Sequence, residues 1–232
     1  MRFSLTRHGA LIGVLALALT ACSTAAPETA DSTGEQASVQ FEDNNGTHTL
    51  STPLTSVVAT DNRTFETLAS WGVALMPSTI SYTEDDSIID LGLHSEPDLE
   101  SVVAVQPDVI INGQRFAQFH DDFAKLVPDA VIVELDPREG EPFDAELKRQ
   151  TTVLGEIFGK QAEAEKLNAD FDAAIERVNA AYSADDSVMA VITSGGEIGY
   201  SAPSVGRTLG PLFDIFDFTV ALDVSESSED HQ

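Results

Sequence analysis

Short apolar runs alternate with segments of helical period between residues 56 and 135, and this rhythm narrows the choice of fold more than any other feature. Val57-Val58-Ala59 reads as a strand. Asp61 or Asn62 can cap the helix that follows, which carries Phe65, Leu68 and Ala69 on one face and stops at Gly72. Residues 73–76 predict a second strand, and residues 78–95 an irregular acidic connection. Pro97 opens a helix over 98–105 with Leu99, Val102 and Val103 inward. Val109-Ile110-Ile111-Asn112 is an uninterrupted apolar run of the kind buried on both faces. A helix over 115–126 and a strand over 130–135 follow. Strands alternating with helices predict an α/β fold with a parallel sheet covered on both sides. Ahead of it, residues 39–50 alternate apolar and polar around an Asn-Gly turn and predict a β-hairpin.

The rhythm stops at residue 144. Leu147, Leu154, Ile157 and Phe158, then Leu167, Phe171, Ile175, Val178 and Tyr182, recur at helical spacing with no strand signal. Gly155 and Gly159 weaken the middle, so this stretch reads as one kinked helix or two in tandem. Alternation then restarts: a strand over 188–193, a turn at Gly195-Gly196, an extended segment over 198–201, and a helix carrying Leu209, Leu212, Phe213 and Phe216. The expected architecture is two Rossmann-like lobes joined by a long helix. The lobes are residues 39–143 and 187–232, and the helical linker is 144–186. The second lobe is too short to complete a parallel sheet and is expected to be incomplete in this chain.

The first 21 residues read as an export signal, with Arg2 and Arg7 ahead of an apolar stretch over 10–19. Leu19-Thr20-Ala21-Cys22 resembles a bacterial lipobox. It predicts diacylglycerol and an N-acyl chain on Cys22, and an anchor on the outer face of the cell membrane. The alternative is an ordinary signal peptide with an accidental cysteine. Cys22 is the only cysteine, which excludes internal disulfides and cysteine-based metal sites. Residues 22–38 are polar and read as a flexible tether. The net charge of −27 argues against nucleic-acid partners. With only 12 lysines and arginines in the chain, an arginine near a strand end becomes informative.

Three stretches carry a family resemblance: Val57-Val58-Ala59-Thr60 through Leu68-Ala69-Ser70-Trp71-Gly72-Val73; Glu96-Pro97-Asp98-Leu99-Glu100 with Val105-Gln106-Pro107-Asp108-Val109-Ile110-Ile111; and Leu154-Gly155-Glu156-Ile157-Phe158-Gly159-Lys160. They resemble the helical-linker class of periplasmic binding proteins, which serves siderophore, haem and cobalamin ABC importers. Within it the chain is most similar to the catecholate subgroup of petrobactin- and enterobactin-type binders. The resemblance implies a monomeric binding protein without enzymatic chemistry or intrinsic cofactor. Its transported ligand would be a ferric siderophore and its partners the permease subunits. Arg115, in Asn112-Gly113-Gln114-Arg115, and Arg207, in Ser204-Val205-Gly206-Arg207, are the implied ligand-contacting arginines. His231 is the implied direct Fe(III) ligand, and Glu100 the permease-docking residue.

Guanidinium groups suit an anionic iron chelate because they stay charged, present planar donors and stack on aromatic rings. Each residue also has a plainer reading. Either arginine can be a surface cation, Glu100 a solvated helix residue, and His231 a terminal histidine without a role. Tyr200 follows an extended segment and either faces the cleft or packs. Phe65, Trp71, Phe116 and Phe119 read as core or cleft wall. Haem, cobalamin or a hydroxamate siderophore are the alternative ligands within the class. A metal-ion binder fits less well, because His94, His120 and His231 lack ligand spacing. A hydrolase fits poorly, because Ser204 lacks a nucleophile elbow.

Overall fold

The computed structural model describes residues 37–78, 89–205 and 209–222. Cys22, Arg207 and His231 lie outside the described residues.

The chain opens with the expected hairpin, β1 (Ser38–Asp43) and β2 (Gly46–Ser51), which turns Phe41 and Leu50 into the core. The turn differs in detail from its expected Asn-Gly form. Asn44 and Asn45 are its central pair, and the positive φ (128°) falls on Gly46, which already pairs with Asp43. Asp43 closes the turn by accepting from the Asn45 and Gly46 amides at 2.7 and 3.1 Å.

β3 (Val57–Ala59) leads into α1 (Asn62–Ser70). Asp61 caps α1 by accepting from the Arg63 amide at 3.0 Å. Gly72, at φ 75°, ends it. β4 (Leu75–Ser78) starts two residues later than expected, because the Val73 amide still bonds to the Leu68 carbonyl at the helix end. The connection expected to be irregular holds three two-residue strands. β5 (Ile89–Asp90) pairs in parallel with β4, and β6 (Gly92–Leu93) and β7 (Glu96–Pro97) form a small hairpin. Strands this short leave no alternation to detect. Pro97 therefore belongs to β7 and not to the next helix. Asp98 caps α2 (Leu99–Val105) through the Ser101 amide.

β8 (Val109–Asn112) is fully buried, as expected. The single helix expected over 115–126 is instead a 3-10 helix, Gln114–Phe119, continuing into α3 (His120–Leu126). β9 (Val131–Glu134) completes a five-stranded parallel sheet of order β5-β4-β3-β8-β9. Val57, Ala59, Val109 and Ile111 face one apolar layer with Phe65, Leu68 and the β1–β2 hairpin. Val58 and Ile110 face the other, with Val102, Phe116 and Phe123.

The long helical stretch is two helices, α4 (Phe143–Phe158) and α5 (Gln161–Ala181), separated at Gly159 (φ 64°). The tandem reading is right about the break, but the two do not form a straight strut. α4 lies on the sheet with Val153, Leu154 and Ile157 buried in the first layer. α5 doubles back along it. Lys148 pairs with Asp172 at 2.8 Å, Asn168 donates to Thr152 Oγ1 at 3.1 Å, and Gly155 faces Ala164. Only Ala164 of α5 is buried.

Beyond α5, β10 (Val191–Ser194) and β11 (Glu197–Tyr200) form an antiparallel hairpin around Gly195-Gly196. α6 (Pro211–Phe216) is shorter than expected. It joins a ring cluster in which Phe218 meets Tyr182, Phe213 and Phe216. Val188 and Val220 make a parallel bridge. No helix among the described residues is long and apolar enough to cross a membrane.

Candidate functional site

The strands of the sheet run outward in opposite chain order from β3 and β8, and a crevice forms where the order reverses, at the carboxyl ends. Three loops meet there. The loop after β3 bears Thr60 and Asp61, the loop after β8 bears Gly113, Gln114 and Arg115, and the loop after β9 bears Asp136. The Thr60 and Asp61 amides both bond to the Ile111 carbonyl, at 2.9 and 3.3 Å. Thr60 Oγ1 donates to Asn112 Oδ1 at 2.6 Å, and Asn112 Nδ2 donates to Glu134 Oε1 at 2.7 Å. The β1–β2 turn braces the end of β9. Buried Asp43 accepts from the Glu134 amide at 2.9 Å, and Asn45 Nδ2 donates to Glu134 Oε2 at 2.9 Å.

Asp61 is the hub. It is only 2% exposed and accepts from Arg63 Nε and Nη2 at 3.1 and 2.8 Å, Gln114 Nε2 at 2.8 Å and Gln150 Nε2 at 3.3 Å. Burial alone would raise its pKa. The Arg63 guanidinium and the Gln114 amide outweigh that and hold the carboxyl below its ordinary range. Arg63 also pairs with Asp136, which accepts from the Gln114 amide at 2.9 Å. An amphipathic crevice of about 520 Å³ between α1 and α4 opens beside this network, lined in part by Arg63, Gln114, Phe143, Leu147 and Gln150.

Arg115 stands apart from the carboxylates. It is exposed, and no ion pair ties it to an acid among the described residues, whereas Arg63, Arg138 and Arg149 are all paired with carboxylates. Its Nη1 lies 3.2 Å from His94 Nε2, in the β6–β7 turn. A guanidinium can only donate, so that nitrogen accepts and the ring proton sits on Nδ1. Arg115 and His94 thus share one polar surface beside the crevice.

The other expected site residues are dispersed. Glu100 is exposed in the first turn of α2. Tyr200 ends β11 half-buried, and its hydroxyl donates to the Leu222 carbonyl at 2.9 Å. Sequence reasoning missed His94, which is brought to Arg115 by strands too short to read. It also missed the Asp61–Arg63–Asp136 network, whose one local signal is the glycine at 113. An ideal Cβ there would lie 2.8 Å from Asp61 Oδ2.

A parallel sheet of this order, with a crevice and an unneutralised guanidinium at its carboxyl edge, defines a ligand-binding α/β lobe. Residues 57–231 match the periplasmic binding protein family, and the chain belongs to it. It is similar to the ferric-anguibactin-binding protein FatB of Vibrio anguillarum, 29% identical over 135 residues, which are 58% of this chain and 41% of the relative. It is also similar to the petrobactin-binding protein YclQ of Bacillus subtilis, 26% identical over 216 residues, which are 88% of this chain and 66% of the relative. The chain therefore spans less than two thirds of the length of these curated relatives. Among solved structures, the fold is shared with the siderophore-binding protein BauB in complex with acinetobactin and ferric iron. There the TM-score is 0.71 at 19% identity, covering 82% of this chain and 70% of the other. It is shared likewise with the periplasmic catecholate-siderophore-binding protein VctP of Vibrio cholerae, at TM-score 0.68 and 21% identity, covering 83% and 70%.

Proposed function

We propose that this protein captures a ferric siderophore of catecholate type outside the cytoplasm and delivers it, without chemical change, to the permease of an ABC importer. The observation that carries the reading is Arg115. It is a cation without an acid partner among the described residues, held at the carboxyl edge of the sheet where the strand order reverses. The siderophore-binding relatives and structures support the ligand class.

On this reading residues 39–143 with α4 form the first ligand-binding lobe, and α5 leads to the second. Arg207 supplies a further guanidinium and His231 a ligand to iron. Glu100 meets the permease, and Cys22 carries the acyl anchor. An anchored chain requires Cys22→Ala to move from the membrane fraction to the soluble fraction.

The test is isothermal titration with ferric catecholate, ferric hydroxamate, haem and cobalamin. A ferric catecholate is expected to bind tightest. Charge-assisted contacts contribute about 1.5–3 kcal/mol each. Arg115→Ala is therefore expected to weaken an anionic ferric complex by roughly 10- to 100-fold and a neutral one far less. Equal losses for both would remove the charge argument, and preference for haem or cobalamin would replace the ligand.

A further inference from the structure

We propose that Gln114 is the positioning residue for Arg115, holding its backbone at the crevice through a clamp built from Asp61, Arg63 and Asp136. The inference deepens the binding reading and rests on it for the identity of the ligand.

The backbone at Gln114 takes φ 52°, a left-handed conformation that a residue with a Cβ adopts only when its surroundings impose it. The surroundings here are identifiable. The Gln114 amide N–H donates to Asp136 Oδ2 at 2.9 Å. The side-chain Nε2 donates to Asp61 Oδ1 at 2.8 Å and also to Asn62 Oδ1. One residue is thereby tied through its main chain to the loop after β9 and through its side chain to the loop after β3. Arg63 bridges both acceptors, fixing the two carboxylates relative to each other. Gly113 passes so close to Asp61 that no side chain fits there, which brings Gln114 within reach.

Arg115 is held from its other side too. The Phe116 amide bonds to the Gly113 carbonyl at 3.1 Å, and the Phe116 ring is 5% exposed in the second apolar layer. Of three consecutive residues, the first is clamped and the third is a buried plug. The middle one, exposed, has its Cα direction set by both. A guanidinium displayed in this way loses less conformational freedom when an anion docks, and that saving appears as affinity. Gln114 does a second job by remaining neutral. Its amide protons satisfy Asp61 and Asp136 on the side facing Arg115, without adding charge to a rim where carboxylates already outnumber Arg63.

Gln114→Ala retains the strained backbone and removes the side-chain tie, and Gln114→Gly removes both the strain and the tie. With iron(III) tris-catecholate as probe, each is expected to weaken binding about tenfold. In the Arg115→Ala background each is expected to have little further effect, because the clamp acts through Arg115. Equal factors in both backgrounds would mean a merely structural role and would overturn the proposal. Full affinity in Gln114→Gly would overturn the side-chain clamp. A second measurement needs no ligand. Amide ¹⁵N relaxation at Arg115 is expected to fall from the rigid range, about 0.85 in order parameter, toward 0.6 or below in Gln114→Ala. Should the wild-type protein bind none of the ferric probes, the binding reading fails by itself. Unchanged order at Arg115 would then still decide against the clamp.

Discussion

Glu146 and Gly113 show how much a single residue fixes here. Glu146 is buried at the start of α4 and accepts from Arg138 and from Arg149. The Arg138 hydrogen bonds, ahead of the Arg149 bonds and charge, hold its pKa down from 4.5 to about 2. A carboxyl depressed on folding adds stability that is complete above its unfolded value and fades as pH falls through its folded value. Acid titration of the wild type should therefore show stability draining between about pH 4.5 and 2. Glu146→Gln should flatten that limb and cost roughly 1.5–3 kcal/mol near neutral pH, since two guanidiniums lose a charged acceptor. Urea denaturation across pH measures both. Gly113→Ala drives a methyl into Asp61, an overpacking change of about 1–3 kcal/mol, and should also weaken anion binding because the loop bearing Arg115 moves. Arg115 itself was legible in the sequence from its place after an apolar strand. The clamp was not, because Asp61, Gln114 and Asp136 become neighbours only when β3, β8 and β9 lie side by side.

Among the elements, those with long periodic signals were read well. β3, α1, α2, β8 and β9 fall within one or two residues of expectation, since each couples an apolar run or face to a capping residue such as Asp61 or Asp98. What escaped was either short or relational. β5, β6 and β7 have two residues each, and the turn that brings α5 back along α4 depends on contacts between the helices. That turn turns on one close approach. A Cβ on Gly155 would sit 2.7 Å from the Ala164 Cβ and 3.2 Å from the Lys160 carbonyl. Alanine improves helix propensity by about 1 kcal/mol over glycine. Gly155→Ala should nevertheless destabilise, because separating the helices costs about 1–3 kcal/mol. A rise in the denaturation midpoint would show that the corner relaxes freely. Leu154, 1% exposed on the sheet side of α4, should cost about 2–5 kcal/mol when cut to alanine.

For the whole molecule the governing quantity is the net charge of −27. Its far field opposes an approaching anion, while Arg115 attracts one only at short range. Added salt screens the first more than the second. Stopped-flow association of an anionic ferric chelate should therefore speed up several-fold as ionic strength rises from low to physiological. Slowing instead would mean that a local positive potential already dominates the approach. The α/β class and the family were legible because alternation and short motifs survive in one dimension. The field around the crevice was not, because it depends on which acids fold next to which bases.

α5 is five residues longer than α4 and runs the opposite way along it. At about 1.5 Å per residue it extends roughly 7 Å farther than its companion, past the rim where the strands end. Its base is a close-packed elbow, with Gly159 in a left-handed conformation and Gly155 against Ala164. Such a member behaves as a lever pivoted at the floor of the lobe. A tilt of a few degrees at the elbow becomes a sweep of ångströms at the tip, directed across the mouth of the crevice.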